Sequence, residues 1–271
     1  MNEPVVENDN SISRFAHVLT RIKVYRNWYS LVWPLNRLGG EDRVIQVRNG
    51  PKIYVRSIFG PDWVVVYEMF YRDDYQIAHL PLGIKPVILD IGANIGAFTV
   101  LASHCFKDAT IYSYEPAATN FEILKKNIAL NDILNRLKPF QMAISTNSGE
   151  ETMTYSDLEY AHSLIADQVE TERVVKSEKV TCTTIADIMK DNSLDIIDLI
   201  KMDIEGLEYE VLFGVPDEVY KKIRYIALEI HDHKEYTAAK LIEFLEQKGF
   251  AVKRAPDHAK VYIASNSTLL K

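Results

Sequence analysis

Cysteine is scarce in this sequence, with only Cys105 and Cys182 among 271 residues. Two thiols so far apart make no disulfide framework, and the expectation is a reducing, cytoplasmic setting. Long apolar runs are also missing: no segment approaches the roughly 18 apolar residues that a membrane-spanning helix requires. The first residues, MNEPVVENDNSIS, are acidic and polar where an export signal needs a basic start and an apolar stretch. Nor is there a surplus of basic charge. The formal net charge of −7 argues against a general nucleic-acid binder, whose affinity comes from neutralising phosphates. Repeats and low-complexity tracts are absent. What remains is a chain with 47% hydrophobic and 25% charged residues, an ordinary globular composition long enough for one core domain plus an appendage.

The charge is unevenly spread. From residue 11 to residue 58, nine Lys or Arg stand against Glu41 and Asp42, a net +7, so the rest of the chain carries −14. That segment either complements an acidic body or offers a docking face to an anionic acceptor, partner or membrane surface. Within it Phe15, Val18, Leu19, Ile22, Tyr25 and Tyr29 recur at helical spacing, which predicts an amphipathic helix. The end of that helix, Trp28 to Trp33, can bury against its own body or against a second copy, so a homodimer is compatible with the pattern. Val44 to Ile58 is expected to form a hairpin turning at Asn49-Gly50. The stretch PDWVVVYEMFYRDDY mixes strand-like and helical features and is assigned to a lid.

From residue 86 strands and helices alternate: VILDIG, AFTVLASHCF, ATIYSYEP, TNFEILKKNIALN and LKPFQMAIS. This pattern predicts βαβ units and a doubly wound α/β sheet. A polar stretch from about Asn147 to Lys176 contains one expected strand, EETMTYS, and a loop, DLEYAHSLIADQVETE. Further on, FAVKRA and AKVYIAS are joined only by PDH, so they must pair antiparallel.

The segment VILDIGANIGAFTV, Val87 to Val100, holds an apolar run, Asp90, and then Gly92 and Gly96. In open α/β sheets ligands bind beyond the carboxyl ends of the strands, and this first turn is the usual nucleotide site. A dinucleotide fold needs G-x-G-x-x-G, but Asn94 occupies the middle glycine position, which disfavours a pyrophosphate. Without a phosphate, Gly92 and Gly96 leave room for a flat adenosine with an amino-acid tail, and Asp90 can face the ammonium of that tail. An ordinary strand-to-helix turn is the alternative. Glu115, followed by Pro116, comes nineteen residues after Gly96. A carboxylate only accepts hydrogen bonds, which suits the two hydroxyl donors of a ribose.

Taken together, ILDIGANIGAFT, YSYEPAATNFEILKKNIALN, LIKMDIEGLEYEVLFG and IALEIHDH give a chain that resembles the FkbM family of S-adenosylmethionine-dependent methyltransferases over about residues 50 to 265. DIGANIG alone is shared by most methyltransferases of the doubly wound class, and KMDIEGLE is the more specific piece. The resemblance implies a seven-stranded Rossmann-like sheet with a C-terminal antiparallel hairpin in an S-adenosylmethionine-binding domain over 84–271. A tail, an amphipathic helix and a helical and hairpin lobe over 1–83 would precede it and close over the acceptor. It implies S-adenosylmethionine held by Asp90, Gly92, Asn94, Gly96, Glu115 and Pro116, with Asp203 alongside and adenine near Ala143 and Ile144. It further implies methyl transfer to an oxygen of a sugar, glycan or secondary metabolite. An N-methyltransferase acting on a small-molecule amine and a non-catalytic cofactor-binding partner protein are the alternatives, with a dehydrogenase behind them.

For the chemistry, DLIKMDIEGLEYE is expected to place Lys201, Asp203 and Glu205 on one face at a strand's carboxyl end, with Gly206 ending the strand. Charges packed there are costly unless paired or used. RYIALEIHDH brings Glu229 and His231 to the neighbouring strand end. An unactivated alcohol, with a water-like pKa of about 15 to 16, benefits from a base. His231 is the first choice because histidine titrates nearest neutral pH, Asp203 the second, with Lys201 and Glu229 in support. Asp203, Glu229 and His231 could also ligate a divalent ion, although their spacing is not diagnostic and the expectation is that no metal is used. Trp63, Tyr67, Tyr71 and Tyr75 are candidates for stacking on an acceptor or for simple packing, and Glu205 and His162 are expected to border the acceptor pocket.

Overall fold

The computed structural model describes residues 23–27, 43–57, 61–156, 162–163, 174–232, 236–256 and 258–270. Most of the expected N-terminal helix, including the Trp28 to Trp33 end, lies outside the described residues, as do most of the loop after Ser156 and the side chain of His162. No helix among the described residues is long and apolar enough to cross a membrane.

The described chain begins with a two-stranded antiparallel pair, β1 (Arg43–Gln46) and β2 (Lys52–Val55), whose turn carries Asn49 at φ 53°. This is the hairpin expected from Asn-Gly. Helix α1 (Pro61–Tyr67) follows and runs into a π-helical turn, Glu68–Arg72. The mixed strand and helix signals of PDWVVVYEMFYRDDY thus resolve as helix: Val66 and Met69, three apart, are the buried contacts, and the β-branched run Val64 to Val66 is overridden by that packing.

The main sheet has seven strands in the order β12-β13-β11-β10-β3-β4-β5. Its centre is β3 (Val87–Ile91), β4 (Thr110–Tyr114) and β5 (Leu137–Phe140) on one side and β10 (Ile197–Met202) and β11 (Ile223–Glu229) on the other, all parallel. β12 (Phe250–Arg254) and β13 (Val261–Asn266) form the antiparallel hairpin that the short PDH connection required, with β13 inserted beside β11. The chain goes from β3 outward to β5 and then returns to β10 beside β3, so the order reverses between β3 and β10. That reversal opens a crevice at their carboxyl ends.

Helices α2 (Ala97–Cys105) and α3 (Ala118–Leu130) follow β3 and β4. Beyond β5 a second, four-stranded sheet is formed by β6 (Ala143–Ile144), β7 (Gly149–Ser156), β8 (His162–Ser163) and β9 (Val174–Thr183), in the order β6-β9-β7-β8. The sequence pattern marks one strand in this polar stretch, EETMTYS. The pairing that completes the sheet joins Gly149–Ser156 to residues up to 33 positions away, a partner that local composition does not reveal.

Helices α4 (Ile185–Asp191), α5 (Glu208–Gly214), α6 (Asp217–Tyr220) and α7 (Ala238–Gln247) complete the layers. One apolar cluster joins Tyr25, Ile45, Ile53, Val55, Val66 and Met69 to Ile88, Phe98, Ile111 and Leu124. The segment before residue 84 therefore packs into the same core as one face of the main sheet.

Candidate active site

The turn after β3 is held by glycines for a reason other than ligand room. Gly92 has φ 74°, and a Cβ there would lie 1.9 Å from the Asp203 carbonyl oxygen. Gly96 has φ 84°, and its Cβ would lie 2.4 Å from Leu124 Cδ1. Both positions need a left-handed backbone and a missing side chain so that the turn can close against β10's exit and α3. Gly96 lies behind the turn and lines neither cavity described below. Asn94, at φ 50°, completes the turn.

Asp90 is fully buried and points inward. Thr99 donates to its Oδ2, Thr99 is in turn 2.8 Å from Ser113 Oγ, and Lys201 Nζ stands 3.6 Å from Oδ1. Burial raises its pKa, opposed by Lys201 and Thr99. Asp90 therefore braces the turn from behind rather than facing an ammonium, and it lines neither cavity. Lys201 is spent in the same way, donating to the Gly92 carbonyl at 2.7 Å.

Two cavities meet at Gly92, Asn94 and Asp203. The first, about 680 Å³, is walled by Tyr114, Glu115, Pro116, Met142, Ala143, Ile144 and Leu207, among others. Its volume falls in the range of small-molecule sites. Glu115 is its buried charge. Oε2 accepts from the Asn94 N–H at 2.8 Å and Oε1 from the Ala117 N–H at 2.9 Å, which fixes the carboxylate and leaves lone pairs for two further donors. Burial lifts its pKa to about 7 against the pull of those two N–H groups. Ala143 and Ile144 line this cavity together with the fixed carboxylate of Glu115.

The second cavity, about 400 Å³, lies between the sheet and the lobe. Glu68, Asp74, Asp203 and Glu229 line it, with Tyr75 and Lys201. Of the four aromatic candidates only Tyr75 lines it. Trp63 packs edge-on to Tyr25 at 5.4 Å in the core, and Tyr67 and Tyr71 pair with each other at 4.9 Å outside both cavities.

Strand β10 ends at Met202, so the alternation expected for Lys201, Asp203 and Glu205 stops short of Glu205. Glu205 instead sits in a tight turn at φ 52°, followed by Gly206 at φ 102°. The group that holds this turn is not among the residues that the sequence pattern marks. Glu208 is fully buried and accepts from the N–H groups of Ile204 at 3.0 Å and Gly206 at 2.9 Å. Its Oε1 also lies 3.2 Å from His231 Nδ1. The signal was present in KMDIEGLE, where a carboxylate follows a glycine by two residues at a helix start.

His231 is bounded by carboxylates: besides Glu208, Nε2 lies 3.6 Å from Glu205 and 3.7 Å from Glu229. Burial opposes its charge, but the Glu208 hydrogen bond and the charges of Glu208, Glu205 and Asp203 prevail and lift its pKa to about 9. His231 is therefore cationic at neutral pH. Burial and Asp203 push Glu205 and Glu229 up to about 7, with His231 pulling the other way. Two donor sets come within 4.8 Å, Glu68-Asp74-His258 and Asp203-Glu205-His231. In the first, Arg72 Nε stands 3.1 Å from Asp74, and in the second His231 Nδ1 faces Glu208 Oε1 at 3.2 Å while Nε2 faces Glu205 and Glu229.

Known proteins show the family of this chain. Residues 90–252 match the methyltransferase FkbM domain. The chain is 30% identical over 231 residues to methyltransferase sdnD of Sordaria araneosa, covering 73% of this chain and 88% of that protein. It is 24% identical over 214 residues to 31-O-demethyl-FK506 methyltransferase FkbM of Streptomyces tacrolimicus, covering 69% and 81%. Among solved structures, M. jannaschii TYW2 in complex with AdoMet aligns with a TM-score of 0.42 at 14% identity, over 83% of this chain and 85% of that one. The chain belongs to the FkbM methyltransferase family.

Proposed function

We propose that this chain transfers a methyl group to a hydroxyl of a sugar, glycan or secondary metabolite. The observation that carries the reading is the junction at Asp203, where a cavity holding the fixed carboxylate of Glu115 adjoins a second one lined with carboxylates. The 31-O-demethyl-FK506 relative supports oxygen as the accepting atom. S-adenosylmethionine, when bound, supplies a methyl group on a sulfonium. Glu115 receives the ribose hydroxyls, and Ala143, Ile144 and Pro116 flank the base. Asp203 and Glu229 face the place where an acceptor hydroxyl must give up its proton. A general base works best with a pKa near the working pH, which favours Glu229, raised to about 7, over the already protonated His231. His231 then acts by position, holding Glu205 and Glu229 in place.

The test is methyl transfer from labelled S-adenosylmethionine to a panel of glycans, alcohols and amines, with mass spectrometry of the products. Transfer to hydroxyls is expected, with kcat/KM falling about tenfold per pH unit below 7 as Glu229 takes up its proton. Glu229→Gln should lose activity by about 100-fold or more and erase that limb. Activity should survive complete chelation of divalent ions. Products methylated only at amines, or a rate independent of pH between 5 and 8, would refute the proposal.

A further inference from the structure

Tyr75 has no part in the chemistry above, yet it is the one aromatic candidate that reaches the second cavity. It is 3% exposed, and its hydroxyl makes no hydrogen bond among the described residues. A buried O–H left unpaired is costly unless a ligand completes it. The ring is held firmly: it packs edge-on to Phe98 at 5.7 Å, with Lys201 Nζ 5.9 Å from its centre. The backbone around it is held too. The Gln76 N–H closes a turn onto the Asp73 carbonyl at 2.8 Å, and both residues take left-handed conformations, with φ 52° at Asp73 and 48° at Gln76. Strain of that kind persists where the surroundings enforce it, and it collects at functional sites. Within the turn Asp74 is the anchor, paired with Arg72 Nε at 3.1 Å and His258 Nε2 at 3.5 Å.

The walls around this hydroxyl are largely acidic. Glu68, Asp74, Asp203 and Glu229 would by themselves favour a cationic acceptor such as an ammonium. Three side chains of the wall carry donors: Lys201, Asn94 and Tyr75. Lys201 is committed to the Gly92 carbonyl at 2.7 Å. The Asn94 amide both donates and accepts, so it suits an alcohol and an amine alike. Tyr75 is different. Burial, with Asp203 and Glu229 next, holds its pKa well above the ordinary phenol value, so it keeps its proton and offers an O–H. No carboxylate of the wall is hydrogen-bonded to it, and that O–H therefore needs its acceptor from a ligand.

We propose that Tyr75 makes this a site for oxygen acceptors, its O–H donating to the acceptor oxygen while Glu229 takes the acceptor's proton. An alcohol oxygen has two lone pairs. One forms the new bond to the methyl carbon as the pair of the breaking S–C bond withdraws onto sulfur; the other accepts from Tyr75, and the O–H proton goes to Glu229. A neutral amine has a single lone pair, which the new C–N bond uses, and an ammonium has none. With either, the Tyr75 O–H stays buried and unpaired. This rests on the hydroxyl-acceptor reading and deepens it by naming the residue that rejects nitrogen.

The experiment takes the alcohol that the parent methylates fastest in the panel above and its counterpart with an amino group in place of the accepting hydroxyl. Tyr75→Phe removes one oxygen and keeps the ring contacts with Phe98 and Lys201. Its kcat/KM for the alcohol should fall by about ten- to 100-fold, while that for the amine stays within about threefold of the parent. Calorimetry on the full chain loaded with S-adenosylhomocysteine gives a reading without turnover: the parent's preference for binding the alcohol over the amine, about tenfold, should shrink toward unity in the variant. S-adenosylhomocysteine itself should bind the variant as it binds the parent, which also shows that the variant is folded. If the variant keeps the parent's preference, Tyr75 only packs; if the parent prefers the amine, the carboxylates set the choice; either result overturns the proposal. If Tyr75→Phe weakens S-adenosylhomocysteine by as much as it weakens the alcohol, the hydroxyl serves the cofactor and the proposal fails. If the parent methylates no hydroxyl in the panel, the hydroxyl-acceptor reading is itself wrong and the proposal falls with it.

Discussion

On one side of Gly92 and Asn94 the walls come from the ends of β3, β4, β6 and β10 and mix apolar side chains with the fixed carboxylate of Glu115 and with Asp203 and Glu205. On the other side they come from the lobe and the ends of β10 and β11 and carry four carboxylates, with His231 and Lys201 held just behind or between them. In the first cavity the buried charge of Glu115 is met by two backbone N–H groups before any ligand arrives. The second is assembled from segments far apart in the chain, and its charges are only partly compensated. The difference teaches what each can do: the sheet side offers shape and a fixed hydrogen-bond pattern, while the lobe side offers a field that draws in positive charge and raises carboxylate pKa values toward neutrality.

The sharpest way to break the sheet side is at Gly92. Gly92→Ala drives a Cβ to 1.9 Å from the Asp203 carbonyl at φ 74°, so neither side can yield without moving backbone. The expected cost is about 3 kcal/mol or more, measured by denaturant unfolding. Gly83→Ala is the control, since its φ of 89° is as strained but no atom lies within 4 Å, and it should cost only about 1 kcal/mol. Equal losses in the two variants would mean that the turn does not depend on that close approach.

Next in size is Glu115→Gln. Each Glu115 oxygen accepts from a backbone N–H, so an amide must turn an N–H₂ toward one donor or the other. Affinity for S-adenosylhomocysteine should fall by about ten- to 100-fold. In the parent, affinity should also decline as the pH drops below about 7, where Glu115 gains a proton and ceases to accept from both hydroxyls of a diol. A variant that binds as tightly as the parent would remove Glu115 from the site.

The same contrast explains how much could be read from the sequence. β3, its turn and Glu115 were legible because their constraints are local: an apolar strand, glycines where φ is positive, and a carboxylate at the next strand's end. The C-terminal hairpin was legible from a three-residue connection. Glu208, by contrast, looked like one more acid in a helix start, and only the fold shows its carboxylate closing the Ile204–Gly206 turn and meeting an imidazole 23 positions on. His231 was read correctly as part of the cluster, but its charge state depends on three carboxylates gathered around it, which periodicity does not encode. Glu68 and Asp74 lay inside a stretch whose secondary structure was ambiguous, and a π-helical turn has no composition of its own.

The smallest effects mark the edge of the lobe cavity. Tyr67 and Tyr71 looked like an acceptor platform by spacing, four apart on a helix, yet they lean on each other at 4.9 Å with Tyr71 42% exposed. The π-helical turn rotates Glu68 and Met69 toward the cavity and carries the two rings to the outside. Tyr71→Ala removes mainly a surface ring contact, so it should change acceptor KM by less than about threefold and stability by about 0.5 to 1 kcal/mol. A tenfold rise in KM with kcat unchanged would instead put the acceptor on the outer face of the lobe and widen the second region beyond the cavity seen here.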